Sequence, residues 1–258
     1  LRACRHKVLA GAQPCLPPPS EKFIFAPALQ CAVYTAKPAL LSPKSKPGYH
    51  VPQLTLFDLD GTLVDSEILS NQVLVDVLAE QGLTFSLDEA VTRFRGGKMA
   101  ESIADVEAHF DCKLSDDFVP YLRQRTALAF EEKLQPIDGA LDLVSSIKSQ
   151  VCIASNGPPE KIRLSLTLTG LLPFFGDRLF SAYEVNAWKP DPRLFLNAAE
   201  QLGVAPSNCA VVEDSLPGIH GGLAAGMQVF AYFPDAPPAD LPGDVTVVTH
   251  LSDLKAHL

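Results

Sequence analysis

Several things are scarce in this chain of 258 residues, and each scarcity removes a class of function. Basic residues are outnumbered, 21 Lys and Arg against 30 Asp and Glu, for a formal net charge of −9. That balance excludes the extended basic face that nucleic acid or an anionic membrane surface requires, so an anionic ligand must be drawn by local cations. Long apolar runs are missing too. The longest stretch near the start, 23–36, is interrupted by Pro27 and Gln30 and suits neither a spanning helix nor a signal-peptide core. Six cysteines, Cys4, Cys15, Cys31, Cys112, Cys152 and Cys209, include no CxxC pair and no accompanying histidine cluster, which excludes a zinc pattern. Cys152 and Cys209 lie inside apolar runs, where a free thiol behaves as a small hydrophobe. Reduced core cysteines fit a cytoplasmic protein, and nothing in the composition argues against a monomer.

Residues 1–50 differ from the remainder. They hold seven Lys or Arg, one acid (Glu21), and eight of the nine prolines found up to Pro52. Three readings are open: a disordered extension, an acid-poor transit segment, or translated sequence upstream of the true start. The first and third rank above the second, because proline at this density breaks the amphipathic helix a transit peptide needs. Without the segment, 14 basic residues face 29 acidic ones, so the part that folds is the more acidic part.

The organising stretch is LTLFDLDGTLVDSE, from Leu54 to Glu67. Leu54 to Phe57 has buried-strand character and runs into Asp58 and Asp60. Two residues apart on strand-like backbone, these point the same way, and Gly61 then permits a sharp turn. Asp65 and Ser66 can cap a helix over 67–81 with Ile68, Val75 and Leu78 on one face and Gly82 closing it. Helical spacing continues through 87–95, 99–110 and 118–134, with no strand for some seventy residues. From Pro136 strands and helices alternate: helix 138–149, strand 151–154, helix 158–168, strand 178–181, helix 192–202, strand 209–212, helix 217–225, strand 228–232, strand 245–248 and helix 251–257. This rhythm predicts an α/β fold with a doubly wound parallel sheet, and the uninterrupted helical block predicts an inserted small all-helical cap domain. The divisions expected are an α/β core of 51–66 and 136–258 and a cap of 67–135.

Chemistry-bearing residues fall where these strands end. Ser155 and Asn156 follow the strand at 151–154 in IASNG, a sequence that is also ordinary turn chemistry. Lys189 in WKPDP supplies a compact positive charge suited to phosphate oxygens. VVEDS places Glu213 and Asp214 at the end of an apolar strand, where two adjacent acids can also be a solvated loop. Carboxylates brought within about 4 Å repel by roughly 4 kcal/mol per pair at an effective dielectric near 20, so a cation must sit among Asp58, Glu213 and Asp214. Oxygen ligands without His or Cys favour Mg²⁺. The expected ligands are Asp58, the backbone carbonyl of Asp60, and Asp214, with Glu213 bound directly or through water.

The pattern DxDGTLxDSE, followed in order by Ser155, Lys189 and the Glu213–Asp214 pair, resembles the four motifs of the haloacid dehalogenase-like hydrolases. The resemblance covers Leu54 to the C-terminus and implies a nucleophile at Asp58, a general acid/base at Asp60, phosphoryl contacts from Ser155 and Lys189, and a helical lid over the site. SNGPPEK, WKPDP and VVEDSLPGI resemble the sugar-phosphatase branch, above all 6-phosphogluconate phosphatase-like enzymes. The substrate implied is a small phosphorylated molecule. The lid loop FRGGKM, residues 94–99, offers Arg95 and Lys98 to the end of a substrate remote from its phosphate, or simply two solvated cations beside a Gly-Gly turn. Trp188 can wall the pocket or pack in the core. A β-phosphoglucomutase-like mutase is the alternative, although relatives of that kind carry an arginine near the place of Met99. Asp60 argues against dehalogenase and phosphonate chemistry, and a non-catalytic binding protein on the same fold is the remote reading.

Overall fold

A computed structural model describes residues 51–258; the readings of residues 1–50, including Cys4, Cys15 and Cys31, fall outside the described residues. The chain enters the sheet at β1 (Leu54–Phe57) and then forms four helices in succession, α1 (Glu67–Ala79), α2 (Leu87–Phe94), α3 (Met99–Phe110) and α4 (Phe118–Lys133). Next come α5 (Ala140–Ser146), β2 (Gln150–Ser155), α6 (Pro159–Leu168), α7 (Leu172–Phe175), β3 (Leu179–Ser181), α8 (Ala182–Val185) and α9 (Arg193–Gln201). The chain continues through β4 (Cys209–Glu213), α10 (Leu216–Ala224), β5 (Gln228–Tyr232) and β6 (Thr246–Val248), then a 3-10 segment, Leu251–Ala256.

Every neighbouring pair in the sheet is parallel, in the order β3-β2-β1-β4-β5-β6. The chain builds outward from β1 to β3 and returns to the other side of β1 at β4. In open α/β sheets such a reversal opens a ligand crevice at the carboxyl ends of the strands. Phe57 pairs with Val212, so Asp58 and Glu213 come next on adjacent strands.

Alternation along the strands fills two cores. Phe57, Val151, Ile153, Ala210 and Val212 face one side with Leu143 of α5, Leu166 of α6 and Phe175 of α7. Leu54, Leu56, Cys152, Cys209 and Val211 face the other, against Phe195 of α9 and Ile219 of α10. With both faces covered, the strands read as continuous apolar runs, as parallel strands do. Helices α1 to α4 bury a third cluster of their own, including Leu74, Leu78, Phe85, Val106 and Leu122.

The doubly wound sheet appears as the sequence rhythm predicts, with element ends moved by a few residues. Three details differ. The apolar residues α1 buries are Val73, Leu74, Val77 and Leu78, whereas Ile68 is 58% exposed; apolar residues ring this helix, so spacing alone does not single out a face. Ser66 precedes α1 but does not cap it, because its hydroxyl is committed to Asp60. The two short helices α7 and α8 were not anticipated, although Ser181, which accepts from the Tyr183 N–H, and Asn186, in the left-handed region, bracket α8 in recognisable cap chemistry.

Truncation at two apolar positions separates these readings. Phe57→Ala removes a fully buried ring that meets Phe175 edge-on at 6.1 Å and should cost about 3–5 kcal/mol, whereas Ile68→Ala should change stability by less than about 0.5 kcal/mol. Urea denaturation of the two variants measures this, and comparable losses would show that Ile68 packs in a core.

Candidate active site

Asp58 leaves β1 while still held by the sheet, its N–H donating to the Val212 carbonyl at 2.9 Å. The turn that follows passes beneath Asp214. Gly61 has φ +84°, and a Cβ built there would lie 2.4 Å from Asp214 Oδ2, so a side chain is barred by conformation and by space.

Lys189, on the loop before α9, is buried and places Nζ 2.5 Å from Asp58 Oδ1 and 2.6 Å from Glu213 Oε1. Glu213 has no exposed surface. Its second oxygen accepts from Ser215 N–H at 2.9 Å and Ser215 Oγ–H at 2.8 Å, and that same hydroxyl oxygen accepts from Gly218 N–H to cap α10. Asp214 accepts from Thr62 Oγ1 at 2.9 Å and from Arg95 Nη2 at 2.8 Å.

Carboxylate oxygens of Asp58, Glu213 and Asp214 lie within 4.8 Å of one another. Burial, only partly offset by Lys189 and reinforced by Glu213, Asp214 and Asp60, raises the Asp58 pKa well above the ordinary range. Burial and Glu213 push Asp214 up to about 6 despite Arg95 and Thr62. Three acids therefore share two cationic partners, and the surplus negative charge penalises ionisation. An oxygen-only, buried, electron-rich set of this kind fits a hard divalent cation.

Asp60 behaves differently. Burial opposes its ionisation, but Lys161, with Nζ 2.8 Å from Oδ1, and the Ser66 hydroxyl at 2.5 Å outweigh burial and lower its pKa. Glu67, on the cavity wall, is pushed up to about 7 by burial and then by Asp60 and Asp214.

A cavity of about 500 Å³ opens over these groups, with Asp58, Asp60, Ser155, Asn156, Lys189, Glu213 and Asp214 all on its lining. Asn156 joins two parts of it, accepting from the Lys189 N–H at 2.9 Å and donating to the Gly96 carbonyl at 3.2 Å. The two cations anticipated for the remote end of a substrate are engaged elsewhere. Arg95 is turned to Asp214, and Lys98 lies over the Trp188 ring at 4.1 Å; neither they nor Trp188 are on the cavity lining. Residues that sequence reasoning passed over are Lys161, Thr62, Glu67 and Gly218. Lys161 was the most legible, closing the SNGPPEK stretch, but the partner it meets is visible only in three dimensions.

The seat of Glu213 is testable through Gly218. Helix propensity alone favours alanine over glycine by about 1 kcal/mol, yet a Cβ at this position would lie 1.8 Å from Glu213 Oε1. Gly218→Ala should therefore destabilise by at least about 1–3 kcal/mol, while Gly243→Ala, with no atom within 4 Å, should be neutral within about 0.5 kcal/mol. A Gly218→Ala variant as stable as the parent in chemical denaturation would show that Glu213 is not seated as described.

Residues 53–226 match the haloacid dehalogenase-like hydrolase family. The 6-phosphogluconate phosphatase of Escherichia coli K12 is 38% identical over 206 residues, spanning 78% of this chain and 92% of the relative. Hexitol phosphatase A of the same organism is 34% identical over 208 residues, spanning 76% of this chain and 89% of the relative. Among solved structures, a conserved haloacid dehalogenase-like protein from Agrobacterium tumefaciens matches with a TM-score of 0.68 and 35% identity, covering 79% of this chain and 96% of that one. With the sheet order, the paired strand-end acids and Lys189 in place, these matches settle the affiliation: the chain belongs to the haloacid dehalogenase-like hydrolase family, as an enzyme of the phosphatase type.

Proposed function

We propose that the protein is a Mg²⁺-dependent phosphatase of a small sugar phosphate or sugar-acid phosphate, with 6-phosphogluconate the foremost candidate, working through an aspartyl-phosphate on Asp58. The observation that carries this reading is the placement of Asp58 at the switch point, between buried Lys189 and the Glu213–Asp214 pair, on the lining of a cavity of about 500 Å³. The 38% identical 6-phosphogluconate phosphatase supports the substrate. Helices α1 to α4 serve as a cap over the core, contributing Leu74, Ser102 and Leu122 to the cavity wall.

Phosphate-monoester hydrolysis needs accelerations of up to about 10²¹-fold, and general acid/base catalysis provides only about 10²–10⁴ of it. Charge stabilisation and positioning must supply most of the remainder. Asp58, Asp214, the backbone carbonyl of Asp60 and, directly or through water, Glu213 would hold Mg²⁺, which would neutralise negative charge on the phosphate and favour the ionised form of Asp58 against the bias of burial. Asp58 attacks phosphorus in line, while Lys189, the Ser155 hydroxyl and neighbouring N–H groups meet the equatorial oxygens. Asp60 gives a proton to the leaving alcohol and then takes one from the water that cleaves the acyl phosphate. Lys161 and Ser66 bias free Asp60 toward the carboxylate, and an arriving phosphate dianion shifts it back toward the acid by like-charge repulsion.

A panel of sugar phosphates assayed for free phosphate tests the reading: release should be seen with Mg²⁺, be lost with EDTA and return on adding Mg²⁺. Isomerised sugar phosphate without release would instead mark a mutase. Asp58→Asn should abolish turnover while leaving the thermal midpoint unchanged or raised, since one repelling charge is removed from the cluster. Retention of more than a few per cent of activity would mean the nucleophile lies elsewhere.

A further inference from the structure

Helix α4 presents Arg123, Thr126, Ala127 and Phe130 to the cavity, the i, i+3, i+4, i+7 spacing of a single helix face. The two ends of that face meet different chemistry. At the Phe130 end, Lys161 sits with Nζ 5.7 Å from the ring centre while holding Asp60 at 2.8 Å, so this end belongs to the phosphate site. The Arg123 end lies two turns away, about 10 Å along the axis at 1.5 Å per residue. An extended sugar-acid phosphate covers that span, with its phosphate at one end and its carboxylate at the other.

Three basic side chains are on the cavity lining among the described residues: Lys189, Lys161 and Arg123. Lys189 is committed to Asp58 and Glu213, and Lys161 to Asp60. Arg123 has weaker ties. Its Nη1 is 3.8 Å from Glu160 Oε1, a pair with side chains 41% and 70% exposed, and its Nη2 donates to Tyr183 Oη at 3.1 Å. An exposed ion pair of this length contributes little. A guanidinium, in contrast, is shaped to hold a ligand carboxylate through two parallel hydrogen bonds.

We infer that Arg123, seated by Tyr183 and opposed by Glu160, is the specificity-determining cation that selects phosphorylated polyhydroxy acids over neutral polyol phosphates of the same length. This rests on the phosphatase reading above and names the substrate class of that site. Glu160 acts as a competitor for the guanidinium, so the two residues should influence selectivity in opposite directions.

The experiment compares kcat/KM for 6-phosphogluconate and sorbitol 6-phosphate in the wild type, Arg123→Gln and Glu160→Gln, with Mg²⁺ present. Both side chains are exposed enough for the variants to fold. Arg123→Gln should lower the acid-to-polyol ratio about tenfold, mainly through KM for the acid, the loss expected for one partly solvated charge-assisted contact. Glu160→Gln should raise the same ratio severalfold. An unchanged ratio in Arg123→Gln, or equal slowing on both substrates, would overturn the assignment and leave the phosphatase reading intact. A wild type that releases phosphate from neither substrate nor any other sugar phosphate would overturn both readings together.

Discussion

One buried lysine bound to two buried carboxylates governs this structure. Lys189 bridges Asp58 at the end of β1 and Glu213 at the end of β4, with burial working against its charge and the two acids holding that charge above the ordinary lysine range. Removing ions from water costs several kcal/mol each, and deleting the lysine, which would leave both carboxylates buried without their shared cation, would cost about 3–5 kcal/mol. The neighbourhood is arranged around that requirement. Ser215 satisfies the second Glu213 oxygen, Gly218 leaves room for the carboxylate, and Gly61 brings the turn after β1 under Asp214.

The same arrangement links fold to chemistry. Parallel strands buried on both faces stay largely apolar until their carboxyl ends, and the return of β4 beside β1 makes two such ends adjacent. Like charges are thereby concentrated by topology. Asp58 and Asp60, two residues apart, are pushed in opposite directions because burial, reinforced by the acidic pair, prevails over Lys189 at the first, whereas Lys161 and Ser66 outweigh burial at the second. Groups whose environments drive their protonation apart are what acid, base and nucleophile roles demand. From the helical segment, the loop between α2 and α3 is fastened through Arg95 to Asp214, through the Gly96 carbonyl to Asn156 and through Lys98 to Trp188. Asn156 also accepts from the Lys189 N–H, so this loop and the bridging lysine share one amide.

Much of this was legible in the sequence because it is local. Strand runs ending in acids, Gly61 in the turn, and the alternation after Pro136 each depend on neighbours in the chain, and Asp58, Ser155, Lys189, Glu213 and Asp214 do converge on one cavity. What could not be read depends on partners far apart in sequence. Ser66 has the right spacing for a helix cap, yet Asp60 takes its hydroxyl. Arg95 and Lys98 stand in the anticipated lid loop, but Asp214 and Trp188 compete for them. Arg123 was invisible as a cavity residue because an arginine in a polar helix looks solvated until the facing helices are in place. Lys161 hid in the same way.

The account turns on Asp58 as the nucleophile that receives the phosphoryl group. Acid-quenching the Mg²⁺-loaded enzyme early in turnover, reducing with borohydride and sequencing the peptide by mass spectrometry tests it most directly. Conversion of residue 58 to homoserine, dependent on substrate and absent in Asp58→Asn, is the result predicted. Steady turnover without homoserine at position 58, or with the modification at another residue, would contradict it.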